Sequence, residues 1–121
     1  MIKTDVEKTK NEIDFDNFEE SLSKISKLVL ADFKAAWCGP CKMLSPVLEQ
    51  VKDERDDVEV IKIDIDEHGG LASRYGIMSV PTMIYFWQGE EIQRVSGYMP
   101  KERIIDTINA LKSKLAVNDQ V

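Results

Sequence analysis

The sequence predicts an α/β protein, a mixed sheet sandwiched by helices, on three observations. Two short apolar runs, Leu28–Phe33 and Val58–Ile65, alternate with segments whose apolar residues recur at helical spacing. A third run, Thr82–Trp87, is followed by a glycine-centred turn, Gln88-Gly89-Glu90, and a partner strand, Glu91–Ser96, which reads as a hairpin. The first run also delivers the chain to Trp37-Cys38-Gly39-Pro40-Cys41, the stretch that holds both cysteines. Strands that alternate with helices and close on a hairpin imply a sheet with parallel and antiparallel neighbours.

Taken in order, residues 1–9 are polar and charged and read as a loosely ordered lead-in, with a short edge strand near Lys10–Ile13. A first helix should start at Asp16, a capping residue type, and bury Phe18, Leu22 and Ile25 on one stripe. Leu28–Phe33 has the pattern of a central strand covered on both faces. The next helix, from Cys41 to Arg55, places Leu44, Leu48 and Val51 together, with Met43 and Val47 beside them. Pro46 lies inside it and should kink rather than end it, because the periodicity continues. Val58–Ile65 alternates Ile61, Ile63 and Ile65 with Lys62 and Asp64 and reads as a second central strand. Gly69–Tyr75 suggests a short helix closed by Gly76 in the left-handed conformation. Gly97 ends the hairpin. The last helix, Lys101–Ala116, carries Ile104, Ile108, Leu111 and Leu115 on one stripe, and residues 117–121 should fray. No repeat or linker interrupts the chain, so residues 1–121 are read as a single domain.

Composition narrows the function classes. At 121 residues, 43% hydrophobic and 31% charged, the chain can bury a core without metal or disulfide staples. Sixteen basic against 22 acidic residues give a net charge of −6, which argues against nucleic acid and anionic membranes as partners. No apolar run reaches membrane-spanning length, and Met1-Ile2-Lys3-Thr4-Asp5 has no signal-peptide core, so the cytoplasm is the expected compartment. Two cysteines in such a chain point to catalysis or metal binding rather than to a staple.

The cysteines favour redox chemistry. Two thiols separated by Gly39-Pro40 can close a disulfide across one tight turn. Pro40 suits the first turn of a helix, and Cys38 at that helix N-terminus sits where exposed amides favour the thiolate. A thiolate attacks disulfides, and Cys41 is placed to resolve the mixed disulfide. A structural zinc half-site is the bland alternative, but zinc needs about four ligands, and the chain offers one histidine and no further cysteine. His68, in Glu67-His68-Gly69-Gly70, reads as a surface residue. No glycine-rich nucleotide motif is present, so no bound cofactor is expected beyond the redox-active disulfide itself.

Asp32 is the sharpest polar residue, a carboxylate inside an apolar strand, where burial is costly and should raise its pKa. Position alone leaves it open between a proton acceptor and a strand-end residue turned to solvent. Lys62 is likewise open between a solvated strand lysine and a partner of Asp32.

In order and spacing, the chain resembles the thioredoxin family from about Ile13 to Leu115. The resemblance rests on Asp32-Phe33 ahead of Trp37-Cys38-Gly39-Pro40-Cys41-Lys42, on Pro46, and on Lys62 before Ile63-Asp64-Ile65-Asp66. Tyr75-Gly76-Ile77, Val80-Pro81-Thr82, Gly89 and Gly97 complete it. It implies a central mixed sheet with helices on both faces and a thiol–disulfide oxidoreductase that reduces protein disulfides. Cys38 would be the nucleophile and Cys41 the resolving thiol. Asp32 would accept the Cys41 proton through water, with Lys62 moderating its charge. A cis Val80–Pro81 bond would face Cys38 and leave the Val80 backbone free to pair with an extended substrate. Trp37, Gly76, Ile77, Met78, Val80, Gly97 and Tyr98 would form a flat apolar patch for disulfide-containing protein substrates. A flavin- and NADPH-dependent thioredoxin reductase would resupply electrons, and a monomer is the default state. Gly39-Pro40 adds no cation between the thiols, which favours a reductant over an oxidase or isomerase. A binding adaptor without turnover is disfavoured by the intact Cys38, Cys41 and Asp32. Lys34 departs from the family, which often has an aromatic residue there, and the longer lead-in before Lys10 is a second departure.

Overall fold

The computed structural model describes residues 13–119. In chain order it contains a 3₁₀ turn (Phe15–Asn17), α1 (Phe18–Ser23), β1 (Leu28–Lys34), α2 (Gly39–Glu54), β2 (Val58–Asp64), α3 (Gly69–Arg74), β3 (Thr82–Trp87), β4 (Glu90–Ser96) and α4 (Lys101–Asp119). The four strands form one sheet in the order β2-β1-β3-β4. β1 runs parallel to β2 and antiparallel to β3, and β3 pairs antiparallel with β4. The sheet is mixed, as expected.

Strand alternation divides the core into two layers. Leu28 and Leu30 of β1 pack with Met83 and Tyr85 of β3 against Leu44, Leu48 and Val51 of α2 and Ile104, Ile108 and Leu111 of α4. Val29, Ala31 and Phe33 face the opposite way, with Ile63, Ile84 and Phe86, onto Phe18 and Leu22 of α1 and Leu71 of α3. Helices therefore cover both faces. Burial of these stripes supplies most of the drive to fold, at about 25 cal/mol per Å² of apolar surface.

Several boundaries differ from the sequence reading. The first helical segment begins earlier than Asp16, because the Asp14 side chain accepts from the Asp16 amide at 3.0 Å and caps a 3₁₀ turn. The α-helix proper starts at Phe18 and ends at Ser23, so Ile25 is buried from the following turn instead of from the helix. α2 starts at Gly39 rather than Cys41, with Cys38 as its N-cap, and it continues through Pro46 to Glu54. α4 runs on to Asp119, past the expected end at Ala116. β2 is not central among the described strands: it pairs with β1 alone and stands at the end of the order. The edge strand expected near Lys10–Ile13 lies outside the described residues except for Ile13, which is in no strand.

Gly76, Gly89 and Gly97 all have positive φ, at 62°, 88° and 95°. Gly89 is the most constrained, since a Cβ there would stand 2.8 Å from the Glu19 carbonyl oxygen. The hairpin turn thus seats against α1. Glu19 also accepts hydrogen bonds from Arg74 and the Tyr75 hydroxyl, tying α1 to α3 and the turn after it.

Candidate active site

The site is built where β1 ends and α2 begins. β1 carries Asp32 and Lys34 on its α2 side, because Leu28 and Leu30 point that way and the side-chain period is two. Ala35 then packs with Cys38 and Cys41 beneath the turn, joined by half-buried Ile65 and Val80. Cys38 and Cys41 are disulfide-bonded, with Cα atoms 5.3 Å apart. Both are buried. The Cys41 amide donates to Cys38 Sγ at 3.1 Å, so the sulfur takes the place that a serine or aspartate oxygen usually holds at a helix start. The first-turn amides and the helix dipole at this end favour negative charge on that sulfur. Cys38 Sγ also lies 3.6 Å from the Val80 carbonyl oxygen.

Asp32 has no exposed surface, and neither carboxylate oxygen has a hydrogen-bond partner among the described residues. Burial pushes its carboxyl up to about 6, and the positive charges of Lys62 and Lys34 hold that rise in check. Lys62 is the direct cross-strand neighbour of Asp32 in the parallel pair. Its ammonium, however, bonds Ser45 Oγ at 3.0 Å and Glu49 Oε2 at 2.8 Å, both on α2. The Asp32 face is also the face of Cys41, since Cys41, Leu44, Leu48 and Val51 form the buried stripe of α2. Asp32 and the thiol pair therefore belong to one interlayer.

On the outer side, Trp37, Ile65, Ile77, Met78, Ser79 and Val80 line an open groove of about 320 Å³. Trp37 and Met78 are largely exposed, at 67% and 94%. The Trp37 indole N–H donates to Asp66 Oδ2 at 2.9 Å, which holds the ring against the loop after β2. The Val80–Pro81 bond is cis, and Pro81 is buried. The Gly97 amide donates to the Pro81 carbonyl at 2.8 Å, which brings the end of β4 beside this turn.

The structure thus sets Trp37, Met78 and Val80 along one groove, with Cys38 Sγ beside the Val80 carbonyl oxygen, Cys41 bonded to Cys38, and Gly39 and Pro40 exposed in the first turn of α2. Gly97 joins them through Pro81, whereas Gly76 and Tyr98 are exposed but do not line the groove. Ile65, Ser79 and Asp66 were not singled out for the site. Asp66 stood in the quoted Ile63-Asp64-Ile65-Asp66 stretch, and an acid following a strand that ends beside an exposed tryptophan was the available signal. His68 stacks on Phe15 at 3.9 Å between ring centres, away from the sulfurs. Among the described residues no group of three or more His, Cys, Asp or Glu side chains is arranged to hold a metal, and no helix is long and apolar enough to cross a membrane.

Comparison with known proteins agrees with this geometry. The family model described as Thioredoxin matches residues 9–110. A thioredoxin from Mycoplasma genitalium is 43% identical over 90 residues, covering 74% of this chain and 88% of that protein. One from Chlamydia caviae is 50% identical over 82 residues, covering 68% and 80%. Among solved structures, a mutant thioredoxin from Halobacterium salinarum superposes with a TM-score of 0.70 at 42% identity, covering 77% of this chain and 81% of that one. A thioredoxin from Nicotiana alata gives 0.71 at 37% identity, covering 76% and 79%. With a Cys-Gly-Pro-Cys disulfide at the start of a helix, over a mixed sheet of this order, the chain belongs to the thioredoxin family of thiol–disulfide oxidoreductases.

Proposed function

We propose that this protein reduces protein disulfides through Cys38, with Asp32 as the proton acceptor that frees Cys41 to finish the reaction. The observation that carries the reading is the Cys38–Cys41 pair at the N-terminus of α2, with the Cys41 amide directed at Cys38 Sγ. In the dithiol form that amide and the helix end favour a Cys38 thiolate. The thiolate attacks one sulfur of a substrate disulfide; a Cys38–substrate disulfide forms and the other substrate sulfur leaves as a thiolate. Cys41 then gives up its proton and attacks Cys38 Sγ. The Cys38–Cys41 disulfide forms, the second substrate thiolate leaves, and two electrons have passed to the substrate.

Asp32 suits the proton step because it is buried, unpartnered among the described residues, and on the Cys41 face of the sheet. A carboxyl near 6 is ionised for most molecules at neutral pH yet basic enough to take a thiol proton through water. Lys62 keeps Asp32 from being fully neutral, acting from a position fixed by Ser45 and Glu49. The groove beside Val80 suits an extended, apolar stretch flanking the substrate disulfide. Family membership supports a flavin- and NADPH-dependent thioredoxin reductase as electron source, with the cytoplasm and a monomer as the working setting.

Trapping tests the reading. Cys41→Ser, reduced and mixed with a disulfide-containing reporter protein, should accumulate a one-to-one mixed disulfide through Cys38. Failure to trap, or equal trapping by Cys38→Ser through Cys41, would reverse the assignment of nucleophile and resolver.

A further inference from the structure

The sheet face beneath α2 carries four charges at the ends of β1 and β2. In the parallel register Asp32 stands opposite Lys62, and Lys34 stands opposite Asp64, so the signs alternate along and across the strands. Two of the four are engaged elsewhere. Lys62 is held by Ser45 and by Glu49, and the negative charge of Glu49 offsets part of the ammonium's reach. The Asp64 carboxylate turns into the following loop, where Oδ1 accepts from the Asp66 amide at 2.8 Å. That leaves Lys34. Its backbone carbonyl is fixed by the Ile65 amide at 2.9 Å, and its half-buried side chain has no ion pair or hydrogen bond among the described residues. It lies two residues from Asp32 on the same side of the same strand.

We propose that Lys34 is a positioning residue for the thiol chemistry, its unpaired ammonium holding Asp32 in the charged form that receives the Cys41 proton. Both cations on the strands beside Asp32 act in the direction of this role. β1 contributes Lys34, β2 contributes Lys62 and Asp64, and α2 contributes Glu49 by way of Lys62; β3 places only uncharged Met83 opposite Asp32. Attraction from both lysines opposes the effect of burial on the carboxyl. Lys62 is the direct register partner of Asp32 but is neutralised in part by its own partner, whereas Lys34 is not, so the freer cation is on the acceptor's own strand. An aromatic residue at this position would fill space without supplying that charge.

The inference rests on Asp32 being the proton acceptor, and the test separates the two. Isotope-edited carboxyl NMR follows the titration of Asp32 in the oxidised protein, for wild type, Lys34→Gln and Lys34→Arg. The pH profile of disulfide reduction is measured for the same three proteins. In Lys34→Gln the Asp32 midpoint should move upward and the profile with it, with a roughly twofold fall in the ratio of ionised to protonated carboxyl at the wild-type midpoint. Lys34→Arg should restore both. An Asp32 midpoint unmoved by Lys34→Gln, or moved equally by Lys34→Arg, overturns the inference. A midpoint that moves while the kinetic profile stays in place overturns the acceptor role of Asp32 instead. Should Lys34→Gln not fold, Lys34→Met keeps a long stem without the charge and is read by the same outcomes.

Discussion

Asp32 and Lys62 are register partners across β1 and β2, yet the hydrogen bonds of Lys62 run to Ser45 and Glu49 of α2 and leave both Asp32 oxygens unpartnered among the described residues. The carboxylate is thus moderated at a distance and not neutralised by contact. A direct ion pair would have pulled its pKa down and removed its basicity. The arrangement keeps a buried, unpartnered carboxyl at the cost of fold stability.

Asp32→Asn removes the base while keeping the shape. Disulfide reduction at neutral pH should slow roughly 10–100-fold, the range of a single proton-transfer assistance. The loss should show in the resolution step, measured as decay of the mixed disulfide, and not in its formation. Unchanged decay would remove Asp32 from the mechanism.

The same substitution should stabilise the fold, with a defined pH dependence. The Asp32 pKa is raised from 3.8 to about 6, so the folded state binds the proton more tightly than the unfolded chain. Below the unfolded value both states are protonated and the residue costs nothing. As pH rises toward 6 the cost grows, reaching about 3 kcal/mol at neutral pH. An asparagine still buries an unpaired amide, so the gain for Asp32→Asn should be about 1–3 kcal/mol at neutral pH and should vanish below about pH 3. Urea unfolding of both proteins across this range decides it; a gain independent of pH would mean the carboxylate charge is not the source.

Lys62→Gln should raise the Asp32 carboxyl further and move the pH profile of turnover toward alkaline values. Its effect on stability should be small, about 1 kcal/mol or less, because the Lys62–Glu49 pair is half open to solvent. A profile that keeps its wild-type midpoint would show that Lys62 acts on α2 and not on Asp32.

Gly89→Ala tests the hairpin turn, far from the sulfurs. The residue has φ +88°, and the new Cβ would meet backbone oxygen of Glu19 at 2.8 Å. Thermal or urea unfolding should show a loss of about 1–3 kcal/mol with the thiol chemistry intact. Wild-type stability would mean that the turn shifts freely on α1.

Much of this was legible because hydrophobic period reports burial directly. Leu28–Phe33 and Thr82–Trp87 read as strands and are strands, and the stripes Leu44, Leu48, Val51 and Ile104, Ile108, Leu111 face the sheet as spaced. The cysteine pair was legible because its two members are neighbours in the chain. What escaped depends on contacts between distant segments or on unusual chemistry at an element's end. The start of α2 was placed two residues late by the apolar stripe, although Pro40 and Cys38 already marked the helix N-terminus where the structure has it. β2 read as central from its isoleucines and pairs with β1 alone among the described residues, where Lys62 and Asp64 mark a face that turns polar toward its end. The Trp37–Asp66 bond and the diversion of Lys62 to Ser45 and Glu49 join residues 13 or more apart, which no local pattern announces.

One atom, Cys38 Sγ, both carries the chemistry and fastens the first turn of α2. Architecture and reactivity at this position are consequently separable only by choice of replacement. Serine keeps an acceptor where the Cys41 amide needs one and is itself a favoured start to a helix, so Cys38→Ser silences the chemistry on an intact scaffold. Alanine removes both, at an added cost of about 1 kcal/mol. Any inactive variant made with alanine would therefore report loosened scaffolding together with lost reactivity.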